Sequence, residues 1–250
     1  LTLRMQKWSA LAMILYGITV TVAAFDLLMS LDPHWFSTIF GVYYFAGAVL
    51  AFFAFLIPVL LLLKRAGKLG PAVNAEHYHD LGKQLFGYVV FWAYIAFSQY
   101  MLIWYANIPE ETQWLLLREE GGWGAVGLIL VVGHFALPFL ALLPRSVKRR
   151  PPLLAALAVW ILAMHYVDLF WLTAPGKHAV SVHFGLTDVL CFVGLLALFI
   201  GATLFRLARS SRVPERDPRL ADSLPRTATG KLLRRELRED PERKDLAEER

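Results

Sequence analysis

The chain has 250 residues, of which 57% are hydrophobic and only 18% charged, with a mean hydropathy of +0.50. That balance excludes an ordinary soluble domain and is the composition of a polytopic membrane protein. The single cysteine, Cys191, excludes a disulfide framework or a cysteine-ligated metal or iron–sulfur site built from this chain alone, and the net charge of +5 is a poor sign of nucleic-acid binding because charge of both signs gathers after Arg206.

Position 1 is Leu, and an apolar run begins a few residues later with no cleavage-site pattern behind it. This reads as a chain whose N-terminal part is missing rather than as a signal peptide. Six apolar segments follow, approximately 8–31, 36–63, 81–106, 123–143, 153–172 and 184–205. Each reaches the roughly 20 residues a spanning helix needs, and the alternation of a membrane β-barrel is absent. The expected fold is an all-α integral membrane protein of six transmembrane helices, one four-helix bundle plus two flanking helices. A membrane domain over 1–207 is followed by a charged tail over 208–250. Pro58 and Pro138 predict kinks in the second and fourth helices.

Orientation follows from the basic residues in the connections. One set of flanks holds ten, Arg4, Lys7, Lys64, Arg65, Lys68, Lys83, Arg145, Lys148, Arg149 and Arg150, and the other set only two, Arg118 and Lys177. By the positive-inside rule both ends of the chain face the cytoplasm. Trp35, Trp104, Trp114, Trp123 and Trp171 then fall near the outer boundary, as an aromatic belt should.

His77, His79 and Asp80 lie together before the third helix, in what reads as a basic, solvated connection without a second ligand-bearing segment, so no metal site is expected there. The informative polar residues are deeper. At about 1.5 Å per residue across a core of about 30 Å, Asp188 and Asp26 lie roughly 6 Å inside the outer face. Asp168 comes out roughly 8 Å deep, His165 roughly 12 Å and His134 roughly 17 Å, near the midplane. His165 and Asp168 are three residues apart and share a helix face. Ionisable groups at such depth are costly and mark a pathway or a site by default. Asp26, His134, His165, Asp168 and Asp188 together read as a proton half-channel open to the outer side. A haem held by His134 and His165 is disfavoured by the bulk of the fifth helix between 158 and 172.

Three stretches carry a family resemblance: FDLLMSLDPHWFST at 25–38, FSQYMLIWYANIPEE at 97–111 and HYVD at 165–168, with further similarity at 213–214 and 217–220. Over approximately 8–224 the chain resembles the ActF-type membrane subunits of bacterial alternative complex III, a quinol:cytochrome c (or high-potential acceptor) oxidoreductase. The resemblance implies an NrfD/polysulfide-reductase-like protein of about ten helices, including two four-helix bundles; the six here would be the last helix of the first bundle, the whole second bundle and the final helix. It also implies a multi-pass place in the bacterial inner membrane. Partners would be an ActC-type membrane subunit, an iron–sulfur subunit and a multihaem cytochrome c. The haem c and iron–sulfur clusters would belong to those partners, with menaquinol or ubiquinol nearby and no cofactor on this chain. The implied role is proton conduction or support of the complex, without catalysis by the subunit alone. A quinol-binding, redox-active subunit, a structural scaffold and a stand-alone transporter are the alternatives.

The tail departs from that family. LPRTATGKLLRRELR at 224–238 resembles the closing lysine motif of adenylate-forming acyl-CoA ligases, yet no adenylation domain accompanies Lys231 in these 250 residues. The segment is expected to be a charged, partly helical cytoplasmic extension.

Overall fold

Hydrocarbon offers no partner to a backbone N–H or C=O, so a long apolar run closes its own bonds as a helix. The computed structural model describes residues 2–209 apart from 68, 70–72, 177–181 and 183. In chain order the helices are α1 (Thr2–Leu27), α2 (Phe40–Arg65), α3 (Ala75–Ala106), α4 (Pro109–Leu116), α5 (Trp123–Ile129), a π-helical stretch (Leu130–Ala136), α6 (Leu137–Leu142), α7 (Arg145–Lys148), α8 (Pro151–Thr173) and α9 (Leu186–Arg209), with a 3-10 turn at Met29–Leu31. The fourth span runs continuously over Trp123–Leu142, and six helices are long and apolar enough to cross a membrane. The protein is an all-α, multi-pass membrane protein with no strand among its described residues. The tail beyond Arg209, with its ligase-like stretch and Lys231, lies outside those residues, as do Lys68 and Lys177.

The expected connection at 77–80 is instead helix. α3 begins at Ala75 and runs for 32 residues, about 48 Å at 1.5 Å per residue, well over a hydrocarbon core of about 30 Å. Its first turns therefore project beyond the apolar layer and carry ion pairs: Asp80 with Lys83 at 2.7 Å, Glu76 with Arg149 at 2.5 Å and with His79 at 3.7 Å. At the other end Asn107 adopts a positive φ of 49°, a backbone state that asparagine tolerates better than most residues. There α3 breaks before Pro109 starts α4.

The second expected kink takes a particular form. In an α-helix the N–H of residue 138 would bond the carbonyl of residue 134, but proline has no donor and its ring crowds that carbonyl. Upstream the helix widens, and the Leu137 N–H donates to the Val132 carbonyl five residues back. In that register the Gly133 carbonyl is left facing Pro138, which cannot answer. Trp160 of α8 supplies the missing bond, its Nε1 donating to the Gly133 oxygen at 2.8 Å.

The chain divides into two units. One comprises Ser9–Leu61 and Ala75–Gly185. Its core is built by Leu50, Ala54 and Ile57 of α2, Leu85 and Val89 of α3, Leu142 of α6, and Leu154, Ala158 and Ile161 of α8, all buried. Small residues let helices approach, as is usual where no hydrophobic force acts between helices. A Cβ on Gly41 of α2 would run into the side chain of Thr21 of α1. The other unit comprises Leu1–Trp8, Leu62–Asn74 and Leu186–Arg250. In it Lys64 donates to the Val73 carbonyl at 2.6 Å, and α9 carries Asp188 in its first turn and Arg206 and Arg209 in its last.

Candidate functional site

The apolar sequence of α8 leaves one acidic side chain inside the bundle, and the structure gives it donors from two other helices. Asp168 is only 1% exposed. The Tyr43 hydroxyl of α2 donates to its Oδ1 at 2.5 Å, and Trp92 Nε1 of α3 donates to its Oδ2 at 3.1 Å. One turn earlier on α8, His165 brings its Nδ1 to 3.8 Å from Asp168 Oδ2. Removing a carboxylate from water costs several kcal/mol unless its oxygens are bonded, so these donors make the burial tolerable. Gly47, one turn below Tyr43 on α2, makes room for the imidazole: a Cβ there would stand 2.7 Å from His165 Cε1.

The π-helical stretch brings the second histidine to the same place. His134 is fully buried, with its ring centroid 4.0 Å from Trp92 and 6.0 Å from His165. Neither ring nitrogen of His134, nor Nδ1 of His165, has a hydrogen-bond partner among the described residues. Four helical segments thus converge on one cluster: Tyr43 and Gly47 from α2, Trp92 from α3, His134 from the π-helical stretch, and His165 and Asp168 from α8. A carboxylate with two fixed donors beside two imidazoles can take up, hold and hand on a proton.

Just beyond this cluster, at the α4 end of the bundle, lies a buried cation. Arg118 is 4% exposed and donates through Nε to the Trp171 carbonyl at 3.2 Å, through Nη1 to the Trp114 carbonyl at 2.8 Å and through Nη2 to the Leu172 carbonyl at 2.6 Å. The last carbonyls of a helix have no partner within it and carry the negative end of its dipole, so a guanidinium is stabilised there. Its Cζ also lies over the Trp114 ring, 3.5 Å from the centroid, and Trp114 in turn stacks on Trp35 at 4.2 Å. Burial pushes the Arg118 guanidinium down to about 9, opposed by Asp32 and Tyr43. It is a cation at neutral pH.

Of the five residues singled out by depth, the structure brings His134, His165 and Asp168 together. Asp26 is exposed near the end of α1, where its backbone carbonyl accepts the Ser30 hydroxyl at 2.5 Å. Asp188 is half-buried in the unit that contains α9. Depth reasoning missed Tyr43, Trp92 and Arg118. Tyr43 and Gly47 four residues apart were a usable signal, since they share a helix face in an apolar segment. A scan against protein-family models and a search of curated protein sequences find no match to this chain, so a role for the site rests on its geometry.

Proposed function

We propose that this protein is a membrane subunit of a respiratory quinol:acceptor oxidoreductase of the alternative complex III type, and that the cluster around Asp168 is its proton relay. The observation that carries the reading is Asp168, a buried carboxylate with donors from two other helices and an imidazole 3.8 Å away. A structural hydrogen bond between two helices needs only one such donor. Here a carboxylate meets His165, and His165 meets His134, in a series of protonatable groups running away from the Arg118 end. By the distribution of basic residues that end faces outside, which makes the relay an outer half-channel. Tyr43 and Trp92 hold the Asp168 carboxyl in place while the proton moves between its Oδ2 and His165. Asp26 and Asp188 are not required by this geometry. Haems and iron–sulfur clusters, with quinol, belong to the partner subunits in this reading.

The test is Asp168→Asn in the assembled complex reconstituted in vesicles, which preserves shape while removing the exchangeable charge. Proton release or uptake per quinol oxidised falls while electron transfer continues. An unchanged proton stoichiometry would overturn the relay. A second reading, in which this cluster receives the proton of the quinol itself, is favoured by the ring nitrogens of His134 and His165 that lack a protein partner. In that case the same variant stops quinol oxidation outright.

A further inference from the structure

We propose that Arg118 is the latch that closes the Asp168 cluster from the aqueous phase, and that Asp32 is the acceptor onto which the latch opens. The inference gives the proposed relay its gate and rests on that reading for its purpose, although its test does not depend on proton coupling.

Four observations carry it. The carbonyls that hold Arg118 belong to Trp171 and Leu172, the third and fourth residues after Asp168 and so about 5 Å further along the same helix. The third carbonyl belongs to Trp114, so one side chain staples α4 to the end of α8. The staple is made of a cation and neutral carbonyls, and no carboxylate among the described residues lies in its hydrogen-bond set. Three of the five guanidinium donors are used there, leaving two. Two groups support the charge of Arg118: Asp32, and Tyr43, which is the donor to Asp168.

The space between Arg118 and Asp32 completes the device. A cavity of ≈ 10 Å³ is lined by both residues together with Trp35, Phe40, Leu172 and Thr173, which is about the room one water molecule needs. Trp35 is 5% exposed, and its Nε1 has no hydrogen-bond partner among the described residues. Arg118 therefore has two alternative sets of acceptors, the three carbonyls that hold it and a half-buried carboxylate that lines the same small cavity. A guanidinium–carboxylate pair is charged on both sides and can be bidentate, which offsets the carbonyls given up. Two alternative sets of acceptors about one side chain are what a switching element needs.

The Trp92 indole N–H reports access directly, because it donates to Asp168 Oδ2. The full-length protein, labelled with ¹⁵N-tryptophan and held in lipid nanodiscs, is transferred to D₂O and the loss of the Trp92 indole signal is followed by NMR, with Trp92→Phe as the assignment control. Arg118→Gln removes the latch and speeds the exchange at least tenfold. Asp32→Asn removes the open-state acceptor and slows it at least tenfold. If Arg118→Gln fails to fold, the Asp32→Asn arm decides. Rates within a factor of two of the parent in Asp32→Asn overturn the proposal, as does a parent protein in which Trp92 never exchanges. Failure of the relay would appear instead as unchanged proton stoichiometry in Asp168→Asn, with the exchange rates still moved by Asp32 and Arg118.

Discussion

Asp168 and His134 are both fully enclosed in the same core, each within a few ångströms of Trp92, and they are held in opposite ways. Asp168 is fixed by donors from two other helices. His134 is fixed by packing against Trp92 and by a backbone that Pro138 has pushed into a wider turn, while both ring nitrogens lack a protein partner among the described residues. The difference teaches that burial alone does not define a role in a membrane bundle. A carboxylate held by oriented donors is a fixed station for charge, whereas an imidazole free at both nitrogens is able to change its partner.

The comparison breaks first on its paired side. Tyr43→Phe keeps the ring and removes only the hydroxyl, leaving Asp168 Oδ1 without its 2.5 Å donor. Hydrogen bonds to charged groups contribute about 1.5–3 kcal/mol and an orphaned buried oxygen carries the desolvation cost, so the variant is destabilised by about 2 kcal/mol. Thermal unfolding in mild detergent shows this as a lowered Tm. A Tm within a degree of the parent would mean that the carboxyl does not depend on Tyr43.

A smaller effect sharpens the other side. Trp160→Phe leaves the volume nearly filled but takes away the Nε1–H that serves the Gly133 carbonyl at 2.8 Å. The loss is that of one neutral hydrogen bond, about 1 kcal/mol. Its further consequence is that the Gly133 carbonyl is left unanswered beside Pro138, so the turn readjusts and the His134 ring shifts against Trp92. The fluorescence or indole ¹⁵N shift of Trp92 checks this, and an unmoved Trp92 signal would show that Pro138 alone sets the turn.

How much of this was legible beforehand divides along the same physical line. Hydropathy located all six helices because transfer energy is a property of composition. It misread the start of α3, where His77, His79 and Asp80 looked like connection residues but are helical, with His79 paired to Glu76 and Asp80 to Lys83. The joint face of His165 and Asp168 follows from helical spacing alone. Tyr43 and Trp92 do not, because which side of α2 and α3 turns inward is set by packing such as Gly41 against Thr21 and Gly47 against His165. Asp26 gave the same depth signal as Asp168 and is exposed, since depth along a helix carries no information about its rotation. Arg118 entered the sequence reading only as a loop charge counted for orientation. It is among the most buried charges of the described residues, because the carbonyls at the end of α8 create a demand for a cation that composition does not show.

The smallest expected effect decides most about His134. Replacing a buried polar group that has no partner by an apolar one of similar shape is nearly neutral or stabilising, because nothing is left unpaired and a desolvation cost disappears. His134→Phe keeps an aromatic ring beside Trp92, which stands 4.0 Å away, and should shift stability by less than about 0.5 kcal/mol in either direction. Proton coupling in the assembled complex should nonetheless fall, because the series beyond His165 is cut. A drop in Tm of several degrees would mean instead that the imidazole nitrogens are bonded in the membrane to something other than protein. His134 would then belong with Asp168 as a fixed station, and the distinction between the two buried groups would disappear.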